Sequence, residues 1–175
     1  MTPSDERETI LETERLILRY QNASDVTPLT KLWTNPAVTK YMGGPRDRDW
    51  LIAEFGKTAK HPRAEKFDLW PVVEKETGNL VGHIGLLDKD VEGKREIELV
   101  YVLSPTAWGK GYATETAIAL KSYAFETLKL ERLISLIDPD NTPSERVAER
   151  VGMRFEKLIV RPDGEVRNLY SVGKA

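Results

Sequence analysis

Short apolar runs, most of them interrupted by regularly spaced polar residues, predict a series of β-strands. Leu16, Leu18 and Tyr20 alternate with Ile17 and Arg19, which is typical of a strand with one buried face. Turn-forming residues bound the other runs and indicate where each strand ends. The strands predicted in this way lie at residues 16–20, 67–74, 80–87, 95–103 and 132–137, with a polar turn at 88–94 and a last hairpin around 162–164.

Apolar residues at helical spacing follow polar capping residues in the segments between these strands. Ser24 is expected to cap a helix that carries Leu29, Leu32 and Trp33. The other predicted helices lie at residues 47–60, 113–128 and 142–152. Because the helix at 113–128 separates two strands, those two strands should be parallel. The pattern therefore predicts an α/β (α+β) fold with a mixed, mostly antiparallel sheet.

The last predicted helix begins at a recognisable capping sequence. Thr142 fits the N-cap, Pro143 the first helical position and Glu145 the third, which predicts a capping box. Asn141 is therefore expected beside the crevice where open α/β sheets bind ligands. Ser144, in the first turn, should face the same crevice. Both are also ordinary capping residues, so the pattern alone leaves a purely structural role open.

The segment 104–115 joins a predicted strand to a predicted helix and contains Gly109 and Gly111. The first amides of a helix lack internal partners and carry partial positive charge, so this junction is a candidate phosphate site. A P-loop is excluded because Lys110 lies between the glycines, and a dinucleotide fingerprint fits poorly because Thr114 occupies the third small position. A glycine-rich turn that merely starts a helix is the structural alternative.

Six groups of motifs follow one another in a fixed order from about residue 13 to about residue 172. They are Thr13-Glu-Arg-Leu-Ile-Leu-Arg19, Asn35-Pro36 with Tyr41-Met-Gly-Gly44, Trp70–Gly78, Val81-Gly-His-Ile-Gly-Leu86, Tyr101–Pro105 with Trp108–Glu115, and Asp140–Ser144 with Val151-Gly-Met153. This series resembles the RimJ/RimL branch of the GNAT superfamily of acyl-CoA-dependent N-acetyltransferases. The resemblance implies a single GNAT-type domain over residues 1–175, with a twisted sheet and helices on both of its faces.

The resemblance also implies an activity and a binding mode. The enzyme would move an acetyl group from acetyl-CoA to a primary amine, by direct attack in a ternary complex. CoA would lie in the splay between the two parallel strands, its phosphates on the loop that starts at Trp108. The residues expected to bind CoA are Tyr101, Val102, Leu103, Trp108, Gly109, Lys110, Gly111, Tyr112, Ala113, Thr114, Asn141 and Ser144.

Candidate catalytic residues follow from what acetyl transfer needs, which is a base for the amine, a donor to the thioester carbonyl, and alignment. In this family the donor is a main-chain amide, here within residues 101–103. Glu98 matches the glutamate of the branch's Glu-x-x-Tyr pattern and is the expected base. Alternation places Glu96 on the same strand face, and His83 on the neighbouring strand is a competing base.

Two positions depart from the superfamily pattern. Trp108 stands where the phosphate loop usually begins with Gln or Arg, an exchange that backbone-mediated binding should tolerate. Ala148 stands where many members have the tyrosine that protonates the departing thiolate. Ser144 is then the remaining candidate acid, with Asn141 beside it to hold the thiol end of CoA.

Composition excludes several other classes of protein. The 175 residues include no cysteine and only two histidines, so thiolate sites are excluded, a histidine-rich zinc site is not expected, and no metal is predicted. A net charge of −2 and a pI near 5.8 argue against a nucleic-acid partner. No membrane-length apolar run or signal peptide is visible, which favours a cytoplasmic enzyme.

The acceptor amine is the least determined part of the prediction. In this fold the substrate groove is formed by the first two helices, the 33–47 connection and the C-terminal hairpin. Trp33, Tyr41 and Trp70 are candidates for its walls, although such residues more often belong to the core. A peptide N-terminus and a small-molecule amine both stay open. Homodimers are common in this branch, and the alternative to an enzyme is a non-catalytic acyl-CoA-binding or sensor module.

Overall fold

The centre of the structure is an eight-stranded sheet, seen in a computed structural model that describes residues 8–175. Its strands are β1 (Thr9–Glu12), β2 (Leu16–Arg19), β3 (Leu69–Glu74), β4 (Leu80–Val91), β5 (Lys94–Leu103), β6 (Arg132–Ile137), β7 (Arg154–Val160) and β8 (Val166–Gly173). They lie in the order β1-β2-β3-β4-β5-β6-β8-β7. All neighbours are antiparallel except β5 and β6, which are parallel as predicted.

Within residues 8–175, five α-helices lie between the strands. They are α1 (Val26–Trp33), α2 (Pro36–Thr39), α3 (Arg48–Lys60), α4 (Tyr112–Ser122) and α5 (Thr142–Val151). A π-helical segment, Tyr123–Thr127, continues α4 and accounts for the helix predicted as far as residue 128. No helix among residues 8–175 is long and apolar enough to cross a membrane.

Helices cover both faces of the sheet, as expected. On one face, α4 and α5 pack on the main core through residues such as Leu120 and Val151, which meet Leu86 and Leu99 from the central strands. On the other face, α1 and α3 enclose a second core. Its buried members are Leu29, Leu32, Trp33, Leu51, Leu69 and Val102. The central strands are therefore buried on both faces. This close packing holds the groups at the ends of these strands in fixed positions.

The parallel pair β5–β6 opens shortly after it forms. The two strands pair only at Glu98 and Ile134. Just beyond, the Ser135 hydroxyl donates to the Leu99 carbonyl at 2.7 Å and bridges the first gap. Past this point β5 continues to the phosphate-loop candidate and β6 turns toward α5, so a crevice opens between them.

Two predicted helix caps are wrong. Asn22, not Ser24, accepts from the backbone near α1, where it starts the short 3₁₀ turn Ala23–Asp25. The buried Asp25 carboxylate completes that capping box and pairs with Arg19 at 2.7 Å. At α5 the N-cap is Asn141, one residue before the predicted Thr142, because its amide oxygen accepts from the Ser144 N–H.

Candidate active site

The end of β5 presents main-chain groups to the open crevice. The Ser104 N–H donates to the Val81 carbonyl at 2.8 Å, which sets the residues of β5 that bond to β4. Because bonding direction alternates along a strand, the N–H groups of Tyr101 and Leu103 point to the β6 side. The strands have already parted there, so β6 offers these amides no ladder partner. The candidate main-chain donor to the thioester carbonyl, predicted within residues 101–103, is therefore the N–H of Tyr101 or of Leu103.

The loop after β5 has the geometry of an anion site. Gly109 and Gly111 have φ angles of +74° and +79°, in the left-handed region that favours glycine. Gly111 is the N-cap of α4, and the first bond of the helix runs from the Glu115 N–H to the Gly111 carbonyl. The amides just before Glu115 therefore have no helical acceptor and are available to a phosphate.

Side chains from distant parts of the chain hold this loop in place. The Glu115 carboxylate accepts from the Thr13 hydroxyl at 2.7 Å and from the Arg15 backbone N–H at 2.9 Å. It also forms an ion pair with the Arg15 guanidinium at 2.6 Å. The Tyr112 hydroxyl donates to the buried Glu74 carboxylate on β3. The start of α4 is thus anchored to the sheet through charged and polar contacts.

The crevice and the loop open into one cavity of about 920 Å³. Every residue predicted to bind CoA lines it except Lys110, and so does Glu98. The Lys110 ammonium instead lies 3.7 Å from the Glu74 carboxylate. A volume of this size suits a large elongated ligand. No group of three or more His, Asp or Glu side chains within the described part of the chain could hold a metal ion.

Glu98 is a buried carboxylate at the point where β5 and β6 separate. Only 7% of the residue is exposed. Burial raises the pKa of Glu98, although the Lys89 ammonium 3.9 Å away and the Leu136 N–H, which donates to it at 3.3 Å, act in the opposite direction. A raised pKa makes this carboxylate a stronger proton acceptor than an exposed one.

The first turn of α5 closes the crevice opposite β5. The Tyr101 hydroxyl donates to the Ser144 carbonyl at 2.7 Å, so it ties the helix to the strand. Burial raises the pKa of Tyr101, which makes it a poor proton donor at neutral pH. Asn141 and Ser144 both line the cavity, whereas Ala148 is fully buried in the core. The expected tyrosine position therefore contributes nothing to the cavity surface.

The two competing bases lie away from the cavity. His83 is buried beneath α1, where its Nδ1 accepts from the Trp33 indole N–H at 3.0 Å and its ring meets Phe55 edge-on. Glu96 is paired with Arg132 at 3.1 Å and lines a separate, smaller cavity. Neither is among the residues that line the large cavity.

His83 should make stability depend on pH. Burial lowers its pKa to about 4, from about 6.5 for a free histidine. The unfolded chain then binds more protons between these values, so stability falls as the pH drops from 6.5 towards 4, by up to about 3 kcal/mol. Urea unfolding of wild type and His83→Gln at pH 7.5 and 4.5 measures this. The variant should lose less stability over that interval than His61→Gln, in which the buried imidazole is kept, and equal losses would contradict the assignment.

The cavity also has walls that the motifs did not indicate. Of the three predicted wall residues, only Tyr41 lines the cavity, beside α2, whereas Trp33 and Trp70 are buried in the cores and the predicted C-terminal hairpin contributes nothing. Asp138, after β6, and Arg146 and Arg150, on α5, line the other side. The sequence feature that could have indicated the two arginines is their helical spacing, which places both on one face of the predicted helix.

Comparison with known proteins agrees with this arrangement. A family model described as an acetyltransferase (GNAT) domain matches residues 15–154. An uncharacterized N-acetyltransferase of Bacillus licheniformis, p20, is 33% identical over 155 residues, which cover 85% of this chain and 84% of p20.

Solved structures share the fold. The crystal structure of an acetyltransferase from Agrobacterium tumefaciens has a TM-score of 0.78 and 32% identity, and covers 94% of both chains. A putative ribosomal-protein-serine acetyltransferase from Vibrio cholerae has a TM-score of 0.74 over 99% of this chain and 100% of its own, but at 23% identity it supports the fold alone. With its family match, its relatives and its eight-stranded sheet, the chain belongs to the GNAT family of acyl-CoA-dependent acetyltransferases.

Proposed function

We propose that this protein transfers an acetyl group from acetyl-CoA to a primary amine by direct attack in a ternary complex. The observation that carries the proposal is the composition of the large cavity. It joins a buried carboxylate at Glu98, unpaired β5 amides and the phosphate-loop candidate in one continuous surface. A base, a carbonyl donor and an anion site are the groups that this reaction needs.

The cavity fits acetyl-CoA on chemical grounds. The loop around Gly109 and Gly111 offers converging amides for the diphosphate, and a Cβ built on Gly109 would meet no atom within 4 Å. The Tyr101 and Leu103 amides can bond to the amide-rich pantetheine arm as a neighbouring strand would. When bound, acetyl-CoA supplies the activated acetyl group, and the protein's residues supply position, polarity and proton transfer.

Glu98 is the proposed base. It would accept a proton from the incoming ammonium group, directly or through one water, and so free the nitrogen lone pair. Its burial makes the protonated form more accessible near neutral pH than for an exposed glutamate. Asp138 lines the same cavity. The Asp138 carboxylate lies 3.6 Å from the Arg167 guanidinium, so we assign the role of proton acceptor to Glu98 alone.

The Tyr101 N–H is the proposed donor to the thioester carbonyl. It lies three residues along β5 from Glu98 and faces the crevice. Both residues therefore line the same part of the cavity. A fixed main-chain donor stabilises charge that develops on the oxygen during attack. The Leu103 N–H lies one step nearer to the loop, where it would hold the pantetheine arm.

Ser144 and Asn141 are proposed to hold the departing sulfur. No hydrogen bond involves the Ser144 hydroxyl within residues 8–175, although its backbone groups bond to Asn141 and Tyr101. The hydroxyl is therefore available to donate to a thiolate. A serine hydroxyl is a weak acid, so we assign it the role of positioning the sulfur, with final protonation from solvent.

We place the acceptor among peptide N-termini and small-molecule amines, in keeping with the RimJ/RimL-like motifs. The branch assignment is part of this proposal and is supported by those motifs. Nothing in the fold or in the relatives favours the non-catalytic acyl-CoA-binding module.

A thiol-release assay tests the proposal. The enzyme is incubated with acetyl-CoA and a panel of amines, namely peptides with N-terminal Ser or Ala, spermidine and aminoglycosides, while CoA binding is titrated in parallel. Thiol release with one class of amine is the expected result and identifies the acceptor. Tight CoA binding without release across a broad panel would favour a non-catalytic module, and absence of CoA binding would contradict both.

A further inference from the structure

Two arginines on α5 line the cavity without a partner. Arg146 and Arg150 make no ion pair or hydrogen bond with any residue in the described range 8–175. Most other basic groups near the loop are committed, since Arg15 pairs with Glu115 and Lys110 lies near Glu74. Both side chains are exposed, so their guanidinium groups are free to bind an anionic group of a ligand in this cavity.

The two arginines can bind the same anion. They are four residues apart, so they lie on one face of the helix, separated by about 6 Å along its axis. The opposite face is fixed in the core, where Ala148 and Val151 are buried. The Lys121 ammonium also donates to the Val151 carbonyl and holds the end of α5 against α4. The arginine-bearing face is therefore held toward the cavity by rigid packing.

The order of groups along the cavity matches the order of groups in CoA. Ser144, bonded to Tyr101, lies at the crevice end of α5, and Arg150 lies about 9 Å farther along the helix axis. In CoA the acyl end and pantetheine arm lead to the diphosphate, and beyond that to the ribose with its 3′-phosphate. The loop amides account for the diphosphate, which leaves a phosphomonoester beyond it without a partner.

Resting on the proposed function, we propose that Arg146 and Arg150 form the subsite for the 3′-phosphate of CoA. The guanidinium groups supply charge-assisted, bidentate hydrogen bonds to this dianion. The subsite would let the enzyme distinguish CoA from carriers that share its pantetheine arm but lack the 3′-phosphate. Lys40 also lines the cavity but its ammonium lies over the Tyr41 ring, 5.1 Å from the centroid, and it serves as the control cation.

Calorimetric titration of the full chain with CoA and with 3′-dephospho-CoA tests this subsite. Wild type should bind CoA about 10-fold more tightly than 3′-dephospho-CoA, because exposed charge-assisted bonds are partly screened. The double variant Arg146→Gln/Arg150→Gln should bring this ratio close to one by weakening CoA alone. Lys40→Gln should keep the wild-type ratio.

Three results would contradict the proposed subsite. Equal affinity of wild type for the two ligands would show that the 3′-phosphate is not recognised. A double variant that keeps the preference would place recognition elsewhere, and loss of the preference in Lys40→Gln would assign it to that lysine. The proposed function is tested separately, because within this titration it is contradicted by binding of neither ligand to wild type, and a wild type that binds both ligands equally leaves it standing.

Discussion

Glu98→Gln is expected to lower the rate of acetyl transfer by about 10²- to 10⁴-fold while CoA binding is unchanged. Glutamine keeps the size of the side chain and can still accept from the Leu136 N–H, but it cannot take a proton from the amine. The Tyr101 amide and the phosphate loop are untouched, so alignment and binding should persist. Steady-state kinetics with a fixed acceptor, together with a CoA titration, measure the two properties separately.

Glu96→Gln is the matched control for this variant. Glu96 lies on the same face of β5 and is equally buried, at 7% exposure for both residues. It is paired with Arg132, which keeps a second partner in Glu156 at 2.8 Å, and it does not line the large cavity. Near-normal transfer is expected from this variant. Equal losses in both variants, or full activity of Glu98→Gln, would remove Glu98 from the mechanism.

The pH profile gives an independent reading of the same residue. Because burial raises the pKa of Glu98, wild-type kcat/KM should fall on the acid side at a pH above the normal range for glutamate. This acid limb should disappear in Glu98→Gln and stay in Glu96→Gln. The buried His83, with a pKa of about 4, is neutral over this range and does not explain the limb.

Sequence reasoning found the cavity-lining residues that lie in one short segment. Residues 108–114 are proposed to act through their backbone conformation, which the two glycines and the following helix encode locally. Glu98 was singled out by its match to the Glu-x-x-Tyr pattern, since strand alternation alone places Glu96 on the same face. Arg150 and Asp138 were not predicted. Helical spacing puts Arg150 on one face with Arg146, but whether that face meets the cavity depends on how α5 and β6 pack against β5. Such packing is a tertiary property that no local pattern records.

Strand boundaries were also predicted poorly where the local pattern of apolar residues is weak. The predicted turn at 88–94 is only a tight turn at Glu92 and Gly93, and β4 and β5 continue through the charged residues on either side. Pairs such as Arg95–Asp88, at 2.6 Å, satisfy those charges on an exposed ribbon, where polarity does not end a strand. Strand β1 was missed because its short edge position carries little apolar pattern.

Gly111→Val is expected to weaken CoA binding by at least about 100-fold while the protein stays folded. A β-branched residue is strained at the Gly111 φ of +79°, so the backbone should relax and its neighbouring amides lose their common direction. Losing two charge-assisted hydrogen bonds to a diphosphate corresponds to at least this factor. The local strain costs about 1–3 kcal/mol, which a domain of ordinary stability tolerates. Calorimetry with CoA and urea unfolding measure the two effects.

Gly164→Val separates the loss of the phosphate site from the strain itself. Gly164 has a φ of +87° in the turn between β7 and β8, and a Cβ there meets nothing within 4 Å. The nearest atom to a Cβ on Gly111 is Arg15 Nη2 at 3.6 Å, an ordinary contact, so neither site has a severe clash. Both variants should therefore lose similar stability, but only Gly111→Val should lose CoA. Normal CoA binding by Gly111→Val would place the phosphates away from this loop. The substitution disturbs the direction of the loop amides, so binding that does not change cannot depend on them.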